Sequence, residues 1–96
     1  MAYTIEIRPA FRREIGKLGK PVQLEVIETL EALKENPFPD GFRKVEGNRC
    51  VFYRVRIAKN YRIIYAVNEE QLIVLAVRVG PRKDVYRQIN QIKVNL

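Results

Sequence analysis

The 96-residue chain carries 18 Lys and Arg against 11 Asp and Glu, a formal net charge of +7, and 47% of its residues are hydrophobic. That is enough for one domain, residues 1–96, with one modest core, and no apolar run approaches the roughly 18 residues of a membrane-spanning helix. There is no histidine and a single cysteine, Cys50, which excludes Ser-His and Cys-His nucleophile pairs, histidine metal sites and an intramolecular disulfide.

One thiol and an N-terminal "MAYTIEIRPA" without the order of a secretory signal point to a reducing, cytoplasmic setting. In "YTIEIR", Tyr3, Ile5 and Ile7 alternate with Thr4, Glu6 and Arg8, a strand with one buried face. Pro9 suits a first helical position. Phe11, Ile15 and Leu18 then make a short helical stripe that Gly16 weakens and Gly19 ends. Pro21 opens a longer helix whose apolar stripe is Val22, Val26, Ile27, Leu30 and Leu33, with Glu25, Glu28, Glu31 and Glu35 on the solvated side. "NPFPDG" (36–41) stops it. From Phe42 the period becomes two. "FRKVEG" (42–47) is a short edge strand, "CVFYRVRI" (50–57) and "YRIIYAV" (61–67) are strands, "NEE" (68–70) is a turn, and "QLIVLAVRV" (71–79) is an apolar strand covered on both sides. "GP" (80–81) ends it, and "RKDVYRQI" (82–89) reads as a short C-terminal helix. The fold class expected is α+β, β-α-α followed by three or four mainly antiparallel strands, with the helical hairpin on one face of the sheet.

Charge is unevenly placed along this order. Residues 1–40 hold 6 basic and 7 acidic side chains, whereas residues 41–96 hold 12 basic and 4 acidic. Arg43, Arg49, Arg54, Arg56, Arg62, Arg78 and Arg82 lie in or beside predicted strands, and a guanidinium fork matches phosphate oxygens. Arg54 and Arg56 share one face of their strand, opposite Tyr53, Val55 and Ile57. A two-residue turn, Lys59-Asn60, would put Arg62 on the apolar face. A three-residue turn, Ala58–Asn60, pairs Arg56 with Arg62 and avoids burying an unpaired cation at several kcal/mol. The longer turn is therefore expected, with Asn60 suited to a left-handed position. Two readings of the face stand: a surface for a polyanion, or an exposed strand whose long polar side chains discourage edge pairing. Arg82 and Tyr86, four apart, would share one side of a helix. The pair reads either as a phenol whose ionised form the guanidiniums favour, or as a core aromatic beside a surface arginine.

The strand–two helices–strands order, with "YRVR…NYRIIY" and "VRVGPRKDVYR", resembles the RelE/ParE toxin superfamily, and within it the RelE-like mRNA interferases of toxin–antitoxin systems. The resemblance covers nearly the whole chain and is most specific over residues 53–65 and 77–87. It implies ribosome-dependent mRNA cleavage without metal or other cofactor, the ribose 2′-hydroxyl attacking the adjacent phosphate. By position, Arg54 and Arg56 would stabilise transition-state charge, Arg62 would clamp phosphate, Arg82 would serve the leaving group, and Tyr86 would accept the proton. Relatives often have lysines at the first two positions. Arginine hardly gives up its proton, which moves the base role to Tyr86. The gap from Arg82 to Tyr86 is shorter than in the best-studied branch, and Pro81 stands where members with a similar short gap commonly have histidine. Arg43, Lys44, Arg49, Lys59, Arg78 and Lys83 are expected to bind RNA. The implied partners are a RelB-like antitoxin, mRNA in the ribosomal A site and ribosomal RNA, with no membrane. A ParE-like gyrase inhibitor and a non-enzymatic nucleic-acid-binding module are the other readings.

Overall fold

Alternation at the N-terminus forms β1 (Thr4–Ile7), with Ile5 and Ile7 turned inward and Thr4 and Glu6 exposed. The computed structural model describes residues 2–45 and 50–94. Pro9 begins α1 (Pro9–Ile15), which stops at Gly16, earlier than the expected Gly19. The second helix, α2 (Lys20–Glu35), follows Gly19 directly, with Pro21 in its first turn. Gln23 of α2 donates to the Ile15 and Leu18 carbonyls at 3.1 and 2.8 Å. The Ile15 carbonyl also accepts the Leu18 N–H at 3.0 Å, so this one side chain reinforces the turn that closes the hairpin. Asn36 ends α2, and its side chain accepts the Phe38 N–H at 3.0 Å. Pro37 and Pro39 keep the chain from resuming the helix.

Four strands follow: β2 (Arg43–Val45), β3 (Phe52–Ile57), β4 (Tyr61–Asn68) and β5 (Ile73–Pro81). The sheet order is β1-β5-β4-β3-β2. Only β1 is parallel to its neighbour, β5; the rest is antiparallel. The α+β expectation with a helical hairpin on one face is met, and β5, expected to be covered on both sides, buries Val74, Ala76 and Val79 on one face and Val77 on the other. β5 starts two residues late because Leu72 takes a left-handed backbone, φ 56°. The Asn68 side chain holds that turn by accepting the Glu70 and Gln71 N–H groups.

The main core joins Phe11 and the α2 residues Val26, Leu30 and Leu33 to Val55, Ile57, Ile63, Tyr65, Val74, Ala76 and Val79. Tyr65 is fully buried, its hydroxyl donates to the Pro37 carbonyl at 2.6 Å, and burial pushes its phenol well above the ordinary value, with Tyr53 adding to the shift. Ile27 departs from the expected stripe, being 53% exposed. It sits one residue round the helix from Val26, beyond the arc that meets the sheet.

A second, smaller core covers part of the opposite face. Phe52, Ile64, Ala66 and Val77 pack there with Val85 and Ile89, and with Tyr86, Ile92 and Val94 at the rim. The expected helix over 82–89 is a single turn, α3 (Arg82–Val85), followed by a 3-10 turn at Ile89–Gln91. Gln88, left-handed at φ 57°, breaks the helix between them. A bulge in β5 supplies part of this core. Ile64 pairs with Arg78 and Tyr65 with Ala76, which leaves Val77 without a partner and free to pack on this side. Bulges re-aim side chains in this way.

Truncating Leu30 to Ala should cost about 2–5 kcal/mol in urea unfolding, while Ile27→Ala should stay within about 0.5 kcal/mol. A comparable loss from both would mean the α2 face is misassigned.

Candidate functional site

The β3–β4 register decides what the sheet presents. Ile57 pairs with Tyr61 and Arg56 with Arg62, so the turn is the three-residue one, Ala58–Asn60. The left-handed residue is Ala58, φ 47°, and not Asn60 as expected. Its N–H donates to Glu25 Oε2 of α2 at 2.6 Å, which ties the turn to the helical layer. Asn60 has another part: its carbonyl accepts the Arg82 N–H at 2.6 Å. The turn thus grips the residue that starts α3.

Arg54, Arg56 and Arg62 consequently share the face opposite the helical hairpin. Arg56 is exposed, Arg54 half-buried, and Arg62 only 4% exposed. Arg62 lies opposite Gly80 of β5, which offers no side chain against it. One Arg62 donor reaches the Tyr61 carbonyl at 2.9 Å. Burial first, then Arg56 and Arg54, lower its pKa; Tyr86 acts in the opposite direction, and Arg82 adds to the lowering. Arg54, Arg56, Arg82 and Tyr86 therefore all lie within electrostatic reach of one buried guanidinium. Among the described residues, no ion pair joins a carboxylate to Arg54, Arg56, Arg62 or Arg82. Tyr86 packs at the rim of the second core and lies within electrostatic reach of Arg62.

The remaining expected contacts divide. Arg43 is exposed opposite Arg54 and so extends the basic face. Lys44 pairs with Tyr53 and lies on the other face. Lys59 is exposed in the turn, and Lys83 is exposed beside Arg82. Arg49 lies outside the described residues. Arg78 does not join the cluster. Its Nε and Nη2 contact Glu14 Oε2 at 3.2 and 3.1 Å, and its Nη1 donates to the Arg87 carbonyl. Sequence reasoning missed Glu14 and the structural part of Asn60. Glu14 and Arg78 are 64 positions apart, so no local pattern links them.

Like charges paired across strands repel, and a polyanion relieves that repulsion. Planar donors clustered beside a phenol also suit charge stabilisation at a phosphoryl centre. A family model, the ParE toxin of the type II toxin–antitoxin system parDE, matches residues 5–86. A RelE-like toxin protein of Escherichia coli is 32% identical over 88 residues, 90% of this chain and 92% of that protein. Among solved structures, a chain of the RelE–RelB complex from Pyrococcus horikoshii matches with TM-score 0.75 and 26% identity, over 88% of this chain and all of that one. The isolated RelE toxin of E. coli matches with TM-score 0.70 and 26% identity, over 83% and 84% of the two chains.

A base whose pKa is lower in the folded state holds its proton less well there. The penalty is complete at neutral pH and is relieved only as pH climbs through the lowered value. Arg62→Met should therefore raise stability at neutral pH, measured by urea unfolding. Inorganic phosphate should raise the melting temperature of the wild type more than that of this variant. A destabilised variant, or equal phosphate effects, would show that Arg62 is not held at a cost.

Proposed function

The chain belongs to the RelE/ParE superfamily of type II toxin–antitoxin toxins, and from that premise we propose that it is a ribosome-dependent mRNA endoribonuclease that arrests translation. The observation that carries this reading is the buried Arg62 with Arg54, Arg56, Arg82 and Tyr86 around it. In the reaction, the ribose 2′-oxygen attacks the adjacent phosphorus as its proton passes to an acceptor. The bond to the 5′-oxygen breaks, that oxygen takes up a proton, and a 2′,3′-cyclic phosphate remains. Arg54 and Arg56 face the developing charge, Arg62 clamps a non-bridging oxygen, and Arg82, at the exposed rim, serves the departing oxygen. Tyr86 is the proton acceptor, since guanidiniums hardly titrate. Arg43, Lys59 and Lys83 add backbone contacts to mRNA or ribosomal RNA. This mechanism assigns charge neutralisation to the arginines.

The partner we assign is a RelB-like antitoxin with an acidic segment that covers the arginine face. Its association rate should fall steeply as salt rises; a rate insensitive to salt would remove charge as the cause. The match to the ParE model favours a second reading, inhibition of DNA gyrase, in which the same face is only a binding surface. Loss of supercoiling by purified gyrase with mRNA left intact on ribosomes would select it.

Arg82→Ala should slow single-turnover cleavage on ribosomes by about 10²–10³. Ribosome affinity should change far less, because the other cations still supply non-specific attraction. Arg82→Lys should recover only part of the rate, keeping charge but losing the fork. Wild-type rates for Arg82→Ala and for Tyr86→Phe would refute the catalytic assignment.

A further inference from the structure

The segment carrying Arg82 and Tyr86 is held to the sheet by Val85, buried in the second core, and otherwise has little means of holding its own shape. α3 is one turn, far below the length at which a helix is stable alone. Two hydrogen bonds bracket it. At the front, the Arg82 N–H donates to the Asn60 carbonyl at 2.6 Å. At the back, the Arg87 carbonyl accepts from Arg78 Nη1. Tyr86 lies between them.

The rear bracket is itself anchored. Arg78 stands in β5 beside the bulge, and its other two nitrogens meet Glu14 Oε2 of α1. The second Glu14 oxygen accepts the Val79 N–H at 3.0 Å. β1 pairs with β5 only from Ile73 to Ala76, so at Val79 the Glu14 carboxylate stands where a neighbouring strand would be. Both side chains of the Arg78–Glu14 pair are 21% exposed. A guanidinium with all three nitrogens already bonded is less free to meet RNA, and well placed to transmit the position of the sheet to the turn beyond it.

We propose that Arg78 is a positioning residue: anchored on Glu14, it fixes the Arg87 carbonyl and so sets Tyr86, and with it Arg82, against the arginine face. The catalytic half of the claim rests on the nuclease reading above; the ordering half does not. Misplacement of a reacting group by about 1 Å can cost about 10²-fold in rate. A lysine at position 78 keeps the charge but cannot serve Glu14 and the Arg87 carbonyl with one planar fork.

The test uses the full chain with Arg78→Ala, Arg78→Lys and Glu14→Gln, the last two in case the first folds poorly. Amide hydrogen exchange should quicken at residues 82–87 in each variant while β3 and β4 stay protected. Unchanged exchange over 82–87 would overturn the ordering claim whether or not the protein cleaves RNA. With mRNA on purified ribosomes, kcat should drop by about 10²-fold with KM little changed. In a Tyr86→Phe background, Arg78→Ala should then cost no more than about twofold further, because both changes act through one group. A rise in KM at constant kcat would mean that Arg78 contacts RNA, and full additivity with Tyr86→Phe would mean a general effect on folding; either result overturns the positioning role. Quickened exchange over 82–87 with no cleavage by the wild type would uphold the ordering and refute the nuclease reading instead.

Discussion

The pairing of Arg56 with Arg62 across the turn Ala58–Asn60 is the constraint on which the rest depends. A strand has two faces and a period of two, so one residue more or less in that turn would exchange them. With three residues, Tyr53, Val55, Ile57, Tyr61, Ile63 and Tyr65 all turn toward the helices. The same register gathers Arg54, Arg56 and Arg62 on the other side. The main core and the basic face are thus two consequences of one choice. The Ala58 contact with Glu25 and the Asn60 contact with Arg82 then tie that turn to α2 on one side and to α3 on the other.

Such a face opposes folding locally, because like charges across a strand pair repel and Arg62 is largely withdrawn from water. Apolar packing on both sides of the sheet offsets it. The second core, with Val85 and Ile89 against Phe52, Ile64 and Val77, lies on the same face as the arginines and brings Tyr86 to their edge. That arrangement is typical of a functional site, where local rules of stability are broken and the surrounding structure bears the consequence. On the function proposed above, the same unfavourable charge would serve two encounters, drawing in a polyanionic substrate and giving an acidic antitoxin segment something to neutralise.

Much of this was legible in the chain because it depends on neighbours in sequence. Alternation in β3 and β4, together with the cost of burying an arginine, was enough to choose the turn length. Proline and glycine marked the ends of α1 and α2 to within a few residues. What could not be read depends on contacts made only after folding. Ala58, Leu72 and Gln88 are not residues that announce a left-handed backbone; Ala58 meets Glu25 of α2 and Leu72 meets Thr4 of β1. The bulge at Val77, which supplies the second core, leaves an apolar run that looks continuous. Arg78 resembled every other arginine near a strand end until Glu14 was found against it. Arg62 was assigned to its face correctly, but its depth follows from how the sheet and the C-terminal segment pack.

Cleavage of RNA at the arginine face, as against mere binding there, is the step on which the proposed function turns. The most direct measurement is the chemistry of RNA ends after wild-type protein meets purified ribosomes translating a defined mRNA. The account predicts cuts confined to the codon in the A site, an upstream fragment ending in 2′,3′-cyclic phosphate, and a downstream fragment beginning with a free 5′-hydroxyl. Intact mRNA on ribosomes that have bound the protein, or fragments with 5′-phosphate ends, would contradict it.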